Sequence, residues 1–326
     1  MAEELLERLR PKAFAVAYRM LGSVGEAEDI VQEALLRVHQ VLRAGERIES
    51  PQTYVATVVT RLAIDELRSA RVRRETYVGE WLPEPLLADE AEDPAERAEM
   101  ADSLSFAFLV LLESLSPEQR AVFLLHDVFG YAFAEVAAIV GKSEATCRQL
   151  ASRARRHLRE RTPRFEPRSD DARELADRFF AAVQHGDLDG LEALLARDAS
   201  LHGDGGGNAP AVARPLQGRA RVAHALLGWT RAGERFGGFT VRRVDVNGQP
   251  GAVNVDAAGR VISVMALDIR DGRIQAVRAI VNPDKLRHVG PVADLRALLR
   301  GRDAEAARRS GGGRRGAAGS RGRESS

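Results

Sequence analysis

Between residues 26 and 42 the apolar positions Ala27, Ile30, Val31, Ala34, Leu35, Val38 and Leu42 recur at steps of three and four, which places them on one face of a helix. The loop RAGERIESPQ interrupts the pattern, and Val55, Val58, Val59, Leu62, Ala63 and Leu67 restart it. The outer face of this second helix carries Arg61, Asp65 and Arg68 and runs on into Arg71, Arg73 and Arg74. Residues 3 to about 75 therefore read as one helical unit. Helical periodicity returns at about residue 95. Ser116-Pro117-Glu118-Gln119 supplies an N-cap, a proline at the first helical position and Gln at N3, close to a capping box. The helix EQRAVFLLHDVF stops at Gly130, and AFAEVAAIV, the turn GKS and EATCRQLASRARRHLRER follow. A short helix, a tight turn and a longer helix are the layout of a helix-turn-helix.

The second half differs in kind. After the Pro-containing hinge TPRFEPRSD (162–170), helical patterns in DARELADRFFAAVQHGD, LDGLEALLA and GRARVAHALLGWTR precede four strand-like runs, 239–246, 252–256, 260–269 and 273–281. Asn247-Gly248 and Asp271-Gly272 are hairpin turns, and Ala257-Ala258-Gly259 joins the middle pair. Helices followed by an antiparallel meander predict an α+β unit, a curved sheet with helices on its concave face. From Gly301 onward the arginine- and glycine-rich low-complexity tail has the composition of a disordered segment.

Composition sharpens this picture in three places. A chain of 326 residues with 44% apolar residues has room for two or three folded domains. Its net charge of +1 hides an acidic stretch at 84–102 and arginine clusters at 61–74, 148–161 and the C-terminus; such local basic patches bind polyanions. Cys147 is the only cysteine, which excludes an internal disulfide and a cysteine metal cluster. The N-terminus MAEELLERLRPKAF has charges where a signal peptide needs an apolar run, and no window approaches the ~20 apolar residues of a membrane helix, so a cytoplasmic protein is expected.

In the 144–160 helix Cys147, Leu150, Ala151, Ala154 and Leu158 share one face, and arginines crowd the other. The N-terminal residues of a second helix in this motif meet base edges, and later arginines hold phosphates. That assigns Glu144, Thr146, Arg148 and Gln149 to base contacts and Arg153 and Arg156 to phosphate, against the alternative of a solvated arginine face. Cys147 reads as a small core residue rather than a redox sensor. The stretch YVGEWLPEPLLADE (77–90) is unlike both neighbours, since two prolines exclude a helix and a tryptophan is costly to leave in water.

The segments AYRMLGSVGEAEDIVQEALLRVHQ, SPQTYVATVVTRLAIDELRSARVRRE and LSPEQRAVFLLHDVFGYAFAEVAAIVGKSEATCRQLASRARRHLRE resemble, in order, regions 2 and 4 of extracytoplasmic-function sigma factors. The second half resembles a SnoaL-like domain, the cone-shaped fold of small polyketide cyclases and of many binding modules. One sigma subgroup carries this extension, and the chain is similar to it in Trp81-Leu82-Pro83-Glu84-Pro85, Asp204-Gly205-Gly206-Gly207 and Asn282-Pro283-Asp284-Lys285-Leu286. The subgroup's glycine motif ends in Lys where this chain has Asn208.

The resemblance implies a division into sigma region 2 (1–75), a linker (76–100), sigma region 4 (101–166), a SnoaL-like regulatory domain (170–290) and a C-terminal extension (291–326). It implies that Asp29, Gln32 and Glu33 bind the clamp helices of the largest subunit of core RNA polymerase. The 47–54 loop with Tyr54, together with Arg61, Arg68, Arg71 and Arg73, would recognise and open the −10 promoter element, although Tyr54 fits a core position equally well. The helix-turn-helix would read the −35 element. The WLPEP strip would dock near the glycine loop and the NPDKL segment, so that the extra domain serves as a fused regulator with no separate anti-sigma factor. The alternative has Trp81 packing on its own module.

Two other readings stay open at this point. A polymerase-independent repressor or activator accounts for a helix-turn-helix and a ligand domain but not for the region 2-like half. An enzyme would draw acid–base groups from His202, Asp204, His224, Asp268 and His288, whose spacing assigns no pair. No cofactor is implied, and a small-molecule ligand of the cone is left open.

Overall fold

The computed structural model describes residues 2–88, 104–159, 170–234 and 237–298, with the side chains of 2, 70–75 and 170 excluded. The acidic run beyond residue 88, most of the 162–170 hinge and the C-terminal tail lie outside the described residues, as do the helical signals between 95 and 103.

The first unit is three helices, α1 (Ala2–Leu21), α2 (Val24–Arg43) and α3 (Pro51–Glu75). Ser23 caps α2, its hydroxyl accepting from Glu26 N, and Ala27, Ile30, Val31, Ala34 and Val38 are the buried stripe. The second unit is α4 (Phe106–Leu112), α5 (Pro117–Phe123), a π-helical turn at Leu124–Val128, α6 (Phe133–Val140) and α7 (Glu144–Arg159). The capping box at Ser116 and Gln119 is formed, and Gly141 closes α6 in the left-handed conformation. The two units share one core. Leu109, Leu112, Leu115, Ala121, Leu124, Ala154 and Leu158 pack with Met20, Leu21, Val59 and Ala63. Arg120, 3% exposed, spans them, donating to Leu112 O, to Met20 O and to the Glu113 carboxylate at 2.8 Å. Burial pushes this guanidinium down to about 9.

The third unit contains α8 (Asp170–His185), α9 (Leu188–Leu194), β1 (Leu195–Asp204), β2 (Leu216–Gln217), α10 (Arg219–Glu234), β3 (Thr240–Val246), β4 (Gln249–Val255), β5 (Val261–Arg270) and β6 (Arg273–Ile280). The expected meander is β3 to β6. The sheet order, β2-β1-β6-β5-β4-β3, adds two strands the periodicity did not suggest, and β1 runs parallel to β6, so the sheet is mixed rather than purely antiparallel. Strand β1 escaped the sequence reading because LARDAS continues the apolar spacing of α9 without a break, and α9 gives way directly to the strand at Leu195.

Alternation along β5 sends its side chains to two different cores. Met265, Leu267 and Ile269 meet α8, α9 and α10 through Phe179, Leu191 and Leu226. Val264 and Ala266 face the other way, onto Leu82, Phe106 and Leu286. The second face of the sheet is thus covered by the linker and by the start of α4.

Candidate functional site

Residues 77–88 run extended between the first unit and the sheet, and Leu82, Pro83 and Pro85 are buried. Asp204, fully buried at the end of β1, is the hub on the sheet side. It accepts from Tyr77 Oη (2.5 Å), Leu82 N (2.8 Å), Gly206 N (3.0 Å) and Lys285 Nζ (2.7 Å). Lys285 also donates to Leu82 O and lies 4.3 Å from the centre of the Trp81 ring and 5.0 Å from that of Tyr77. Burial, then the negative charge of Asp204, push the Tyr77 phenol above its ordinary value, which keeps it a donor. Asn282 Nδ2 donates to the same phenol oxygen at 2.9 Å. A Cβ on Gly206, at φ +55°, would lie 2.1 Å from Asn282 Nδ2 and 3.0 Å from Tyr77 Oη, so the loop approaches the linker this closely only as glycine. Gly205 O accepts from Asn208 N and Ala209 N, and Gly207 faces Val78. Asn208 donates its amide to the Asp284 carboxylate at 2.8 Å. Pro283 begins a short 3-10 turn, and Leu286 is buried against the sheet.

Glu84 departs from the expectation that the whole motif docks on the C-terminal domain. Its carboxylate accepts from Ser23 Oγ (3.0 Å) and Val24 N (2.7 Å), at the positive N-terminal end of α2, and its backbone bonds Gly22 O and Tyr18 Oη. Trp81 touches both sides: a Cβ on Gly22 would lie 2.8 Å from its ring, opposite Lys285. The strip is held from two directions.

The basic faces are placed as follows. Thr146, Arg148, Gln149, Arg153 and Arg156 are exposed along α7, and Glu144 is half-buried. Arg148 pairs with Glu144 at 2.6 Å and stacks on Phe133. On α2, Asp29, Gln32 and Glu33 share an exposed face with Leu36, which is 49% exposed. Tyr54 is half-buried against the core of the first unit. Arg61 donates to Ile139 O (3.0 Å) and Ala138 O (3.2 Å), and Arg68 to Glu118 (2.6 Å). Two of the four arginines expected at the −10 element thus contact the unit that carries the helix-turn-helix. Arg71 and Arg73 lie on the final turns of α3, and their side chains fall outside those described.

Family models match in three stretches: Sigma-70 region 2 over residues 5–73, Sigma-70, region 4 over 105–158, and a SnoaL-like domain over 176–281. The ECF RNA polymerase sigma factor SigJ of Mycobacterium tuberculosis is 41% identical over 307 residues, which span 91% of this chain and 96% of that protein. The crystal structure of that organism's extracytoplasmic function sigma factor SigJ matches with a TM-score of 0.71 at 37% identity, covering 90% of this chain and all of that one. This chain belongs to the extracytoplasmic-function sigma factors. The probable ECF sigma factor SigI of Mycobacterium tuberculosis is a further relative, 33% identical over 83% of this chain and 90% of that protein.

In this sigma factor the five groups considered for acid–base chemistry do not converge. His202 bonds Glu80, Asp268 pairs with buried Arg278, His224 caps its own helix carbonyl on the surface, His288 meets Pro85 O, and Asp204 serves the linker. Several junction residues were invisible in the sequence. Asn247, 1% exposed in the β3–β4 turn, donates to Tyr18 Oη (2.6 Å) and Leu104 O (3.1 Å) and accepts from Leu86 N (2.8 Å), so one side chain joins all three units. Gln249 accepts from Phe106 N and donates to Asp268. An Asn-Gly hairpin signal announces a turn and says nothing of what the turn touches.

Proposed function

We propose that the C-terminal domain regulates this sigma factor by holding the linker, and that it takes the place of a separate anti-sigma factor. The observation that carries this reading is the buried Asp204–Lys285 pair closing on Leu82 N and Leu82 O, from the glycine loop and the NPDKL segment together. The active species works in the cytoplasm on core RNA polymerase, through Asp29, Gln32 and Glu33, and on promoter DNA. Glu144, Thr146, Arg148 and Gln149 read the −35 element, with Arg153 and Arg156 on phosphate. Tyr54, Arg61, Arg68, Arg71 and Arg73 serve the −10 element. Because Arg61 and Arg68 are engaged by region 4, promoter opening requires the two sigma units to separate, and the linker between them sets how readily they do.

Run-off transcription with core polymerase on DNA upstream of this protein's own gene tests the reading. The full chain is compared with forms ending near residues 300 and 166. Polymerase-dependent transcripts that differ in amount between forms are expected. Equal transcription from all three forms overturns regulation by the C-terminal domain, and tight operator binding without polymerase favours a repressor.

A further inference from the structure

Inside the C-terminal domain a cavity of about 110 Å³ lies between the sheet and helices α8 and α10. Phe180, Trp229 and Met265 stand on a mainly apolar wall, and Asn254 with Ser263 forms a polar spot on it. Asn254 Nδ2 donates to Ser263 Oγ at 2.8 Å and contacts Met265 Sδ at 3.4 Å, while its Oδ1 receives no hydrogen bond among the described residues. His202 is also on the wall, and both its ring nitrogens are committed: Nδ1 to Glu80 of the linker at 2.7 Å, Nε2 to Ser200 Oγ at 2.9 Å. One imidazole therefore belongs to the cavity and to the linker contact at once. The second carboxylate oxygen of Glu80 is buried with no partner among the described residues, so the carboxylate is held by its one bond to this imidazole.

We infer that the cavity binds a compact, mainly apolar small molecule carrying one hydrogen-bond donor, aimed at Asn254 Oδ1, and that occupancy moves His202 and loosens Glu80 from the C-terminal domain. An apolar protein cavity of about 150 Å³ takes up benzene, so a space of this order admits about one ring and excludes a steroid or a long acyl chain. The C-terminal tail is the wrong occupant, because RRSGGGRRGAAGSRGRESS offers no apolar side chain larger than alanine. The ligand site stands by itself; only its effect on transcription rests on the function proposed above.

The test uses the full-length chain with ¹³C-labelled methionine methyls. Met265 lies on the cavity wall, and Met20, buried in the core of the sigma units, is the internal control. Phenol and benzene are titrated separately. A saturable shift of the Met265 methyl is expected with both and no shift at Met20, with phenol binding at least threefold more tightly and Asn254→Ala removing that preference. Phenol is also expected to speed amide exchange at 77–88 severalfold, and Glu80→Ala, outside the cavity, to keep the binding while abolishing the response. No saturable shift with either probe overturns the site. Equal affinity for the two overturns the Asn254 assignment, and binding with unchanged linker exchange overturns the coupling. The decisive titrations need no variant, and none of the readouts depends on transcription.

Discussion

Asp204 concentrates the chemistry of the junction in one carboxylate with four donors, three of them from the linker and Lys285. Breaking a buried pair from one side leaves an uncompensated charge, so Lys285→Ala is expected to cost about 3 kcal/mol. Urea unfolding monitored on the C-terminal domain reads that loss, accompanied by faster exchange at 77–88; an effect within error would assign the junction's strength to apolar contact alone. Gly22 has φ +68° and its missing Cβ makes room for the Trp81 ring, so Gly22→Ala combines backbone strain with a clash and is expected to lower stability by roughly 2 kcal/mol. At Cys147, burial raises the thiol above its ordinary value, and the side chain is fully covered by the α6–α7 core. A thiol reagent is expected to leave the native protein unmodified and to react on denaturation, whereas rapid native labelling would revive a sensor role.

At the scale of elements, α3 packs against region 4 through two of its arginines. Arg61 takes carbonyls near the C-terminal end of α6, where a cation is favourable, and Arg68 reaches Glu118 at the start of α5. Burial, the largest single influence, would raise the Glu118 carboxyl, but the hydrogen bond from Arg68, a backbone hydrogen bond and the charges of Arg68 and Lys142 together hold the group below its ordinary range. A carboxylate lowered in the folded state stabilises this packing above its unfolded value, about 4.3, and that contribution fades as pH falls through the lowered value. Arg68 is exposed, so solvent screens the pair and its contribution is small. A fluorescence distance between labelled α2 and α7 is expected to lengthen modestly on acidification, and Glu118→Gln to flatten that response. A Glu118→Gln profile identical to the parent would place the pH dependence elsewhere. The meander was legible at this scale because Asn-Gly and Asp-Gly turns punctuate alternating strands. β1 was not, since its apolar spacing runs on from the preceding helix.

For the whole molecule, the sheet of the C-terminal domain is buried on both faces and supplies only one of the covers itself. A chain ending near residue 166 leaves Leu82 and Phe106 without the sheet surface that now covers them. Such a form is expected to show fast exchange at 77–88 and to self-associate in light scattering, both absent from a form ending near 300. A monomeric short form with a protected linker would mean that the strip is held by region 2 alone, through Glu84 and Tyr18.

Periodicity, capping and turn chemistry were enough to divide this protein into helical units and an α+β unit, because those signals act between residues a few positions apart. The helix-turn-helix, the Ser116 capping box and the exposed row on α7 follow from such local terms. The WLPEP strip announced itself as an interaction segment because an isolated tryptophan and two prolines have no local explanation. What it touches was decided by tertiary structure: Glu84 turns to the end of α2, Leu82 to Asp204 and Lys285, and Asn247 closes the gap between them. The engagement of Arg61 and Arg68 by region 4 was likewise decided there. Contacts across 50 to 229 positions leave no periodic trace in the chain, and depend on which buried polar groups meet when the separate cores are brought together.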